Sequence, residues 1–111
     1  MSHYIVGHQA EKRAAQYLRQ QGYRILQLNW RTRYCEVDIV AVYEGVIYFV
    51  EVKYRRSSRW GTAVEYITPK KLKQMQFAAN SWVHRYGWKG DYRLAAVALD
   101  GTQTSFVLID S

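Results

Sequence analysis

The stretch that decides the fold is CEVDIVAVY (35–43), EG (44–45) and VIYFVEVKY (46–54). Both flanks are rich in valine, isoleucine and aromatic residues, the composition of buried strands. Glu44 and Gly45 between them make a two-residue hairpin turn. If Tyr43 pairs with Val46, paired residue numbers sum to 89, which sets Asp38 opposite Glu51 and Glu36 opposite Lys53. Side chains alternate along a strand, so these four share one face, with directly opposed Cβ atoms about 5 Å apart.

Working outward, a first helix is predicted from about Val6 to Gln20, with Gly22 as its stop. Tyr23 to Trp30 reads as a strand that precedes the hairpin, whose own strands span Cys35 to Tyr43 and Val46 to Tyr54. After it, Arg55 to Ile67 reads as a loop. Thr68 as N-cap and Pro69 at the first helical position then open a second helix, which Gly87 closes. Leu72, Met75, Ala79, Trp82, Val83 and Tyr86 recur at helical spacing and form its apolar face. Tyr92 to Leu99 and Ser105 to Ile109 read as two further strands. The order αβββαββ implies an α/β domain bordering on α+β, a mixed sheet covered by helices.

With 111 residues, 49% of them hydrophobic, the chain is expected to form a single domain with an ordinary core. Sixteen basic residues against nine acids give a net charge of +7. The excess is uneven: residues 53–93 hold ten basic residues and two acids, whereas residues 1–52 hold six and five. Such a surface attracts polyanions, nucleic acid first. Cys35 is the single cysteine, so an intramolecular disulfide is excluded, and the three histidines are too scattered for a zinc site. With neither a membrane span nor a signal peptide in view, the expected compartment is the cytoplasm and no membrane partner is expected.

Two carboxylates facing each other among Val37, Ile39, Val40, Val50 and Val52 repel, and must share a proton or gain a cation. Spacing admits two solutions. One is a hard divalent cation, magnesium or manganese. The other is a structural network in which Lys53 bridges the acids. Glu11 bears on the choice, because Gly7, Ala14, Ala15 and Leu18 set it inside the apolar stripe of the first helix. A carboxylate there needs a partner, and the economical one is the site of Asp38 and Glu51. The alternative is an edge position paired with a basic residue.

These residues resemble the PD-(D/E)XK nuclease core: an acid, Asp38, then Glu51-Val52-Lys53 after a gap of twelve. The closer resemblance is to the YraN-like family of uncharacterised bacterial proteins, regarded as endonucleases distantly similar to Holliday-junction resolvases. It rests on Gly7 with Glu11, Gly22-Tyr23 with Ile25-Leu26, Asn29 with Arg31, and Glu36-Val37-Asp38. It continues through Val50-Glu51-Val52-Lys53 with Arg55, Gly61 with Glu65, and Thr68 with Lys71. Cys35 stands where that family often has glycine, and Val37 where the superfamily motif has proline.

The resemblance implies a restriction-endonuclease-like αβββαβ core and metal-dependent, structure-selective cleavage of DNA. It assigns Asp38, Glu51, the Val52 carbonyl and Glu11 to magnesium or manganese, and Lys53 to the attacking water. Glu36 is expected only to pair with Lys53. Arg31, Arg33, Arg55, Arg56, Lys70, Lys71 and Lys73 are the expected phosphate contacts, with Lys71 nearest the site and Lys70 and Lys73 nearer the outer face of the second helix. Trp60, Trp88, Tyr54 and Tyr86 are either base-stacking or core residues. The expected partners are nucleic acid, DNA before RNA, and a homodimer is compatible with the sequence. A non-catalytic adaptor that keeps the nuclease fold is the alternative function.

Overall fold

A computed structural model describes residues 3–55 and 67–109, with side chains from His8 onward. Its elements are α1 (His3–Gln20), β1 (Arg24–Arg31), β2 (Glu36–Tyr43), β3 (Val46–Arg55), α2 (Pro69–Tyr86), β4 (Tyr92–Asp100) and β5 (Gln103–Ile109). This is the expected α/β order, and it contains the αβββαβ succession. Arg56, Trp60, Gly61 and Glu65, with most of the expected loop, lie outside the described residues.

The five strands form one sheet in the order β1-β2-β3-β4-β5. It is mixed: β3 and β4 run parallel, and the other neighbours are antiparallel. The parallel pair requires a crossover, and α2 lies in that connection. The hairpin register is the expected one from Tyr43–Val46 to Ile39–Val50. Its turn has φ 49° at Glu44 and 79° at Gly45, the left-handed pair of a type I′ turn.

Each face of the sheet has its own core. On one side Ala10, Ala14, Ala15 and Leu18 of α1 pack against Ile39, Ala41, Val50, Ala95, Val97 and Leu99. Small residues on α1 let the helix lie close to the strands. On the other side Met75, Ala78, Ala79 and Trp82 of α2 cover Val37, Val40, Ile47, Phe49 and Leu94. Phe49 anchors this side, edge-on to Trp82 and Tyr92 with both centroids at 5.5 Å. Thr68 caps α2 by accepting a hydrogen bond from the Lys71 amide at 3.1 Å, and Gly87 ends the helix at φ 67°. Among the described residues no helix is long and apolar enough to cross a membrane.

Candidate functional site

The β2–β3 ladder ends at Ile39–Val50, one step before the acids. From that point the backbone and side chains are used differently. The expected Asp38–Glu51 pair is not part of the ladder: Asp38 Oδ2 instead accepts a hydrogen bond from the Val52 amide at 2.8 Å, taking the role of a strand carbonyl. The amide and carbonyl of one strand residue point to the same side, so the Val52 carbonyl also lies toward β2 beside Asp38. Alternation is interrupted here as well, because Val37 and Val40 pack on the α2 side whereas Ile39 packs on the α1 side.

The neighbouring strand is irregular at the same level. Asn29 falls between the pairs Leu28–Ile39 and Trp30–Val37, opposite Asp38, and has φ 52°. Its Nδ2 donates to Glu11 Oε2 at 2.5 Å. Glu11 thus stays half-buried at the edge of the α1 stripe, held by the Asn29 amide. Asn29 is a positioning residue that the sequence reading left without a role. A polar residue able to adopt positive φ inside a strand was the available signal.

On β3, Glu51 meets two ammonium groups through Oε1: Lys71 of α2 at 3.1 Å and Lys53 at 3.6 Å. Lys71 reaches it from the first turn of α2, where the Thr68 cap fixes the helix start. The expected Glu36–Lys53 pair is replaced. Glu36 bonds Arg31 across the β1–β2 ladder at 3.2 Å, because β2 has already left β3 and is still paired to β1.

Asp38 carries the electrostatic signature of this region. Burial pushes its carboxyl from 3.8 up to about 7, with repulsion from Glu51 adding to the rise. The Val52 amide works in the opposite direction, and Glu11 and Glu36 raise the value further. One carboxyl is therefore held near its titration point beside three other acids. Among the described residues no three histidine, cysteine, aspartate or glutamate side chains stand close enough together to enclose an ion by themselves.

Glu51 opens into a groove of about 800 Å³ between the β1–β2 turn and the start of α2. Arg31, Glu36, Lys70, Lys71 and Lys73 are among its walls, as are Tyr34 and Phe77. Arg33 lies in the same turn with its guanidinium 5.8 Å from the centre of the Tyr34 ring. Arg55 ends β3, half-buried, and its carbonyl accepts from the Gly101 amide at 2.8 Å.

Of the four aromatic residues read as base-stacking or core, Tyr86 and Trp88 are engaged within the fold, Tyr54 is exposed on β3, and Trp60 lies outside the described residues. The Tyr86 hydroxyl accepts from Gln27 and Trp30, and its ring packs against Trp82. Trp88 donates to the Asp91 carbonyl. The aromatic rings that do line the groove, Tyr34 and Phe77, had a readable signal in one case: Phe77 lies off the apolar face of α2 yet is large and apolar.

The sequence matches the uncharacterised protein family UPF0102 over residues 10–99. A UPF0102 protein of Cytophaga hutchinsonii is 36% identical over 110 residues, covering 99% of this chain and 97% of that protein. One from Syntrophomonas wolfei is 51% identical over 69 residues, covering 62% of this chain and 60% of that protein. Another, from a Sulfurihydrogenibium strain, is 39% identical over 94 residues, or 84% of this chain and 82% of that protein. The matched span runs from α1 through β4 and so takes in Glu11, Asn29, Asp38, Glu51, Lys53 and Lys71. The chain belongs to the UPF0102 family.

Proposed function

We propose that this protein is a metal-dependent nuclease that hydrolyses phosphodiester bonds in nucleic acid, DNA in the first instance, at the open end of the β2–β3 hairpin. The observation that carries this reading is the gathering, at one end of the hairpin, of a half-buried Asp38 tied to the Val52 amide and a Glu51 that opens into a lysine-lined groove. A fold with no use for negative charge has no reason to keep a carboxyl there, since burial and its neighbours oppose ionisation.

The donor chemistry fits a magnesium or manganese ion. Asp38, the second oxygen of Glu51 and the Val52 carbonyl are hard oxygen donors, with Glu11 held nearby by Asn29. Magnesium keeps several of its waters and needs only one or two carboxylates, so a third ligating side chain is not required. When bound, the ion polarises the scissile phosphate and acidifies a water. The chain's own groups do the rest. Val52 fixes the Asp38 carboxylate through its amide, and Lys71 holds Glu51 in place from α2. Lys53 orients the attacking water and offsets charge on the phosphate as the phosphorus–oxygen bond to the leaving strand breaks.

One observation favours a second reading. Lys53 and Lys71 together already neutralise Glu51 without any ion. A non-catalytic adaptor that binds nucleic acid through the same groove would look like this. Purified protein tested on branched, single-stranded and duplex DNA with magnesium or manganese separates the two readings. The nuclease reading expects cutting that EDTA stops and that Asp38→Ala or Glu51→Ala reduces by about a hundredfold or more. Binding without cutting on every substrate with either ion selects the adaptor.

A further inference from the structure

Two exposed rings line the groove, one on the β1–β2 turn and one on α2. Tyr34 is 77% exposed and Phe77 is 54% exposed. Neither is placed by accident of a loose segment. Thr32 Oγ1 accepts from the Tyr34 amide at 3.1 Å and from the Cys35 amide at 3.2 Å, and the Thr32 amide donates to the Cys35 carbonyl at 2.8 Å. The turn is closed by three hydrogen bonds and holds Tyr34 outward, with the Arg33 guanidinium over the ring. Phe77 sits on the regular backbone of α2, on the same flank as Lys70, Lys73 and Gln74, which recur at helical spacing along the groove.

We infer that this groove binds a single-stranded segment of nucleic acid, its phosphates tracking Lys70, Lys71 and Lys73 and its unpaired bases stacking on Tyr34 and Phe77. Alternation of cationic side chains with exposed rings is the chemistry of single-strand binding, because each base presents a flat face that tolerates any sequence. A duplex keeps those faces stacked inside and would leave both rings in water. Arg33 above Tyr34 extends the platform, since a guanidinium stacks on a ring and pairs with phosphate. The consequence for substrate choice is an unpaired stretch next to the cleaved bond, as in a flap, gap or splayed branch. This inference rests on the nucleic-acid reading above and names the substrate class for that site.

The test is binding without cleavage. Full-length protein carrying Asp38→Asn is titrated in EDTA against three fluorescent probes of equal length: an oligo-dT strand, an abasic strand with the same phosphates, and a duplex. Oligo-dT is expected to bind about tenfold more tightly than the abasic strand, and more tightly than the duplex. Tyr34→Ala and Phe77→Ala should each lower oligo-dT affinity by about five- to tenfold and leave the abasic strand unchanged. Tyr34→Phe should retain binding and Tyr34→Leu should lose it. Both rings are exposed, so thermal melts should match the parent protein. Equal affinity for oligo-dT and abasic strands, or tighter binding to duplex, overturns the inference. It does so without touching the nuclease reading, which falls only if nothing is cut.

Discussion

The two ends of the β2–β3 hairpin are built on opposite principles. At the turn end every residue from Ile39 to Tyr43 pairs in register with Val46 to Val50, the turn geometry matches strand twist, and Ile39, Val40, Ala41, Ile47, Phe49 and Val50 are buried. At the open end the ladder stops, a carboxylate replaces a carbonyl as the acceptor, and acids and lysines take the places that apolar residues hold a few ångströms away. The turn end supplies the stability that lets the open end keep groups unfavourable to folding. Strain and charge gathered at one end of a well-packed element mark a site held for chemistry.

Substitutions can break that contrast. The largest effect is expected at the turn end, where Phe49 is 2% exposed and sits between Trp82 and Tyr92. Phe49→Ala should lose about 4 kcal/mol in urea denaturation, through lost burial and the cavity left behind. A change below about 1 kcal/mol would mean that the α2-side core does not depend on this ring.

The open end should respond in the other direction. The folded state holds the Asp38 proton up to about pH 7, against 3.8 for the ordinary carboxyl. The folded state therefore binds more protons than the unfolded one across that window. Stability from this group is full below pH 3.8 and is lost as pH rises to 7. In metal-free buffer, Asp38→Asn should stabilise the protein at pH 8 by on the order of 2 kcal/mol, with the gain shrinking to nothing near pH 4. Denaturation curves at the two pH values measure it, and a variant less stable at pH 8 would make the carboxylate a structural group.

The smallest effect sharpens the comparison. Gly45 has φ 79° with open space where a Cβ would be, so Gly45→Ala meets no clash and costs only the left-handed backbone. About 1 kcal/mol is expected from the urea midpoint. A loss as large as that of Phe49→Ala would mean the turn holds more of the fold than its exposure suggests.

The same contrast explains what could be read from the sequence. The turn end was legible because its signals are local: Glu44-Gly45 between two apolar runs fixes the register, and Thr68-Pro69 with Gly87 fixes α2. Hairpin spacing and family resemblance together pointed to Asp38, Glu51, Lys53 and Lys71, and the structure brings Lys71 against Glu51. Two-residue alternation says which face a side chain takes, not where pairing stops. The end of the ladder is decided by Asp38 competing for the Val52 amide, by Asn29 at positive φ and by Glu36 staying with Arg31. Each depends on a strand distant in sequence. Tyr34 carried no signal of its own in the sequence, since its exposure follows from hydrogen bonds closed by Thr32.

The claim that the open end is kept for a cation has one direct test: the thermal melting temperature of wild-type protein and Asp38→Ala, each titrated with manganese from EDTA at pH 7.5. The account predicts that Asp38→Ala melts at or above wild type in EDTA. On adding manganese the wild type should rise steadily, as linkage requires of an ion bound to the folded state, while the variant stays where it was. A wild-type melting temperature indifferent to manganese, or an Asp38→Ala protein that is unfolded in EDTA, would contradict it.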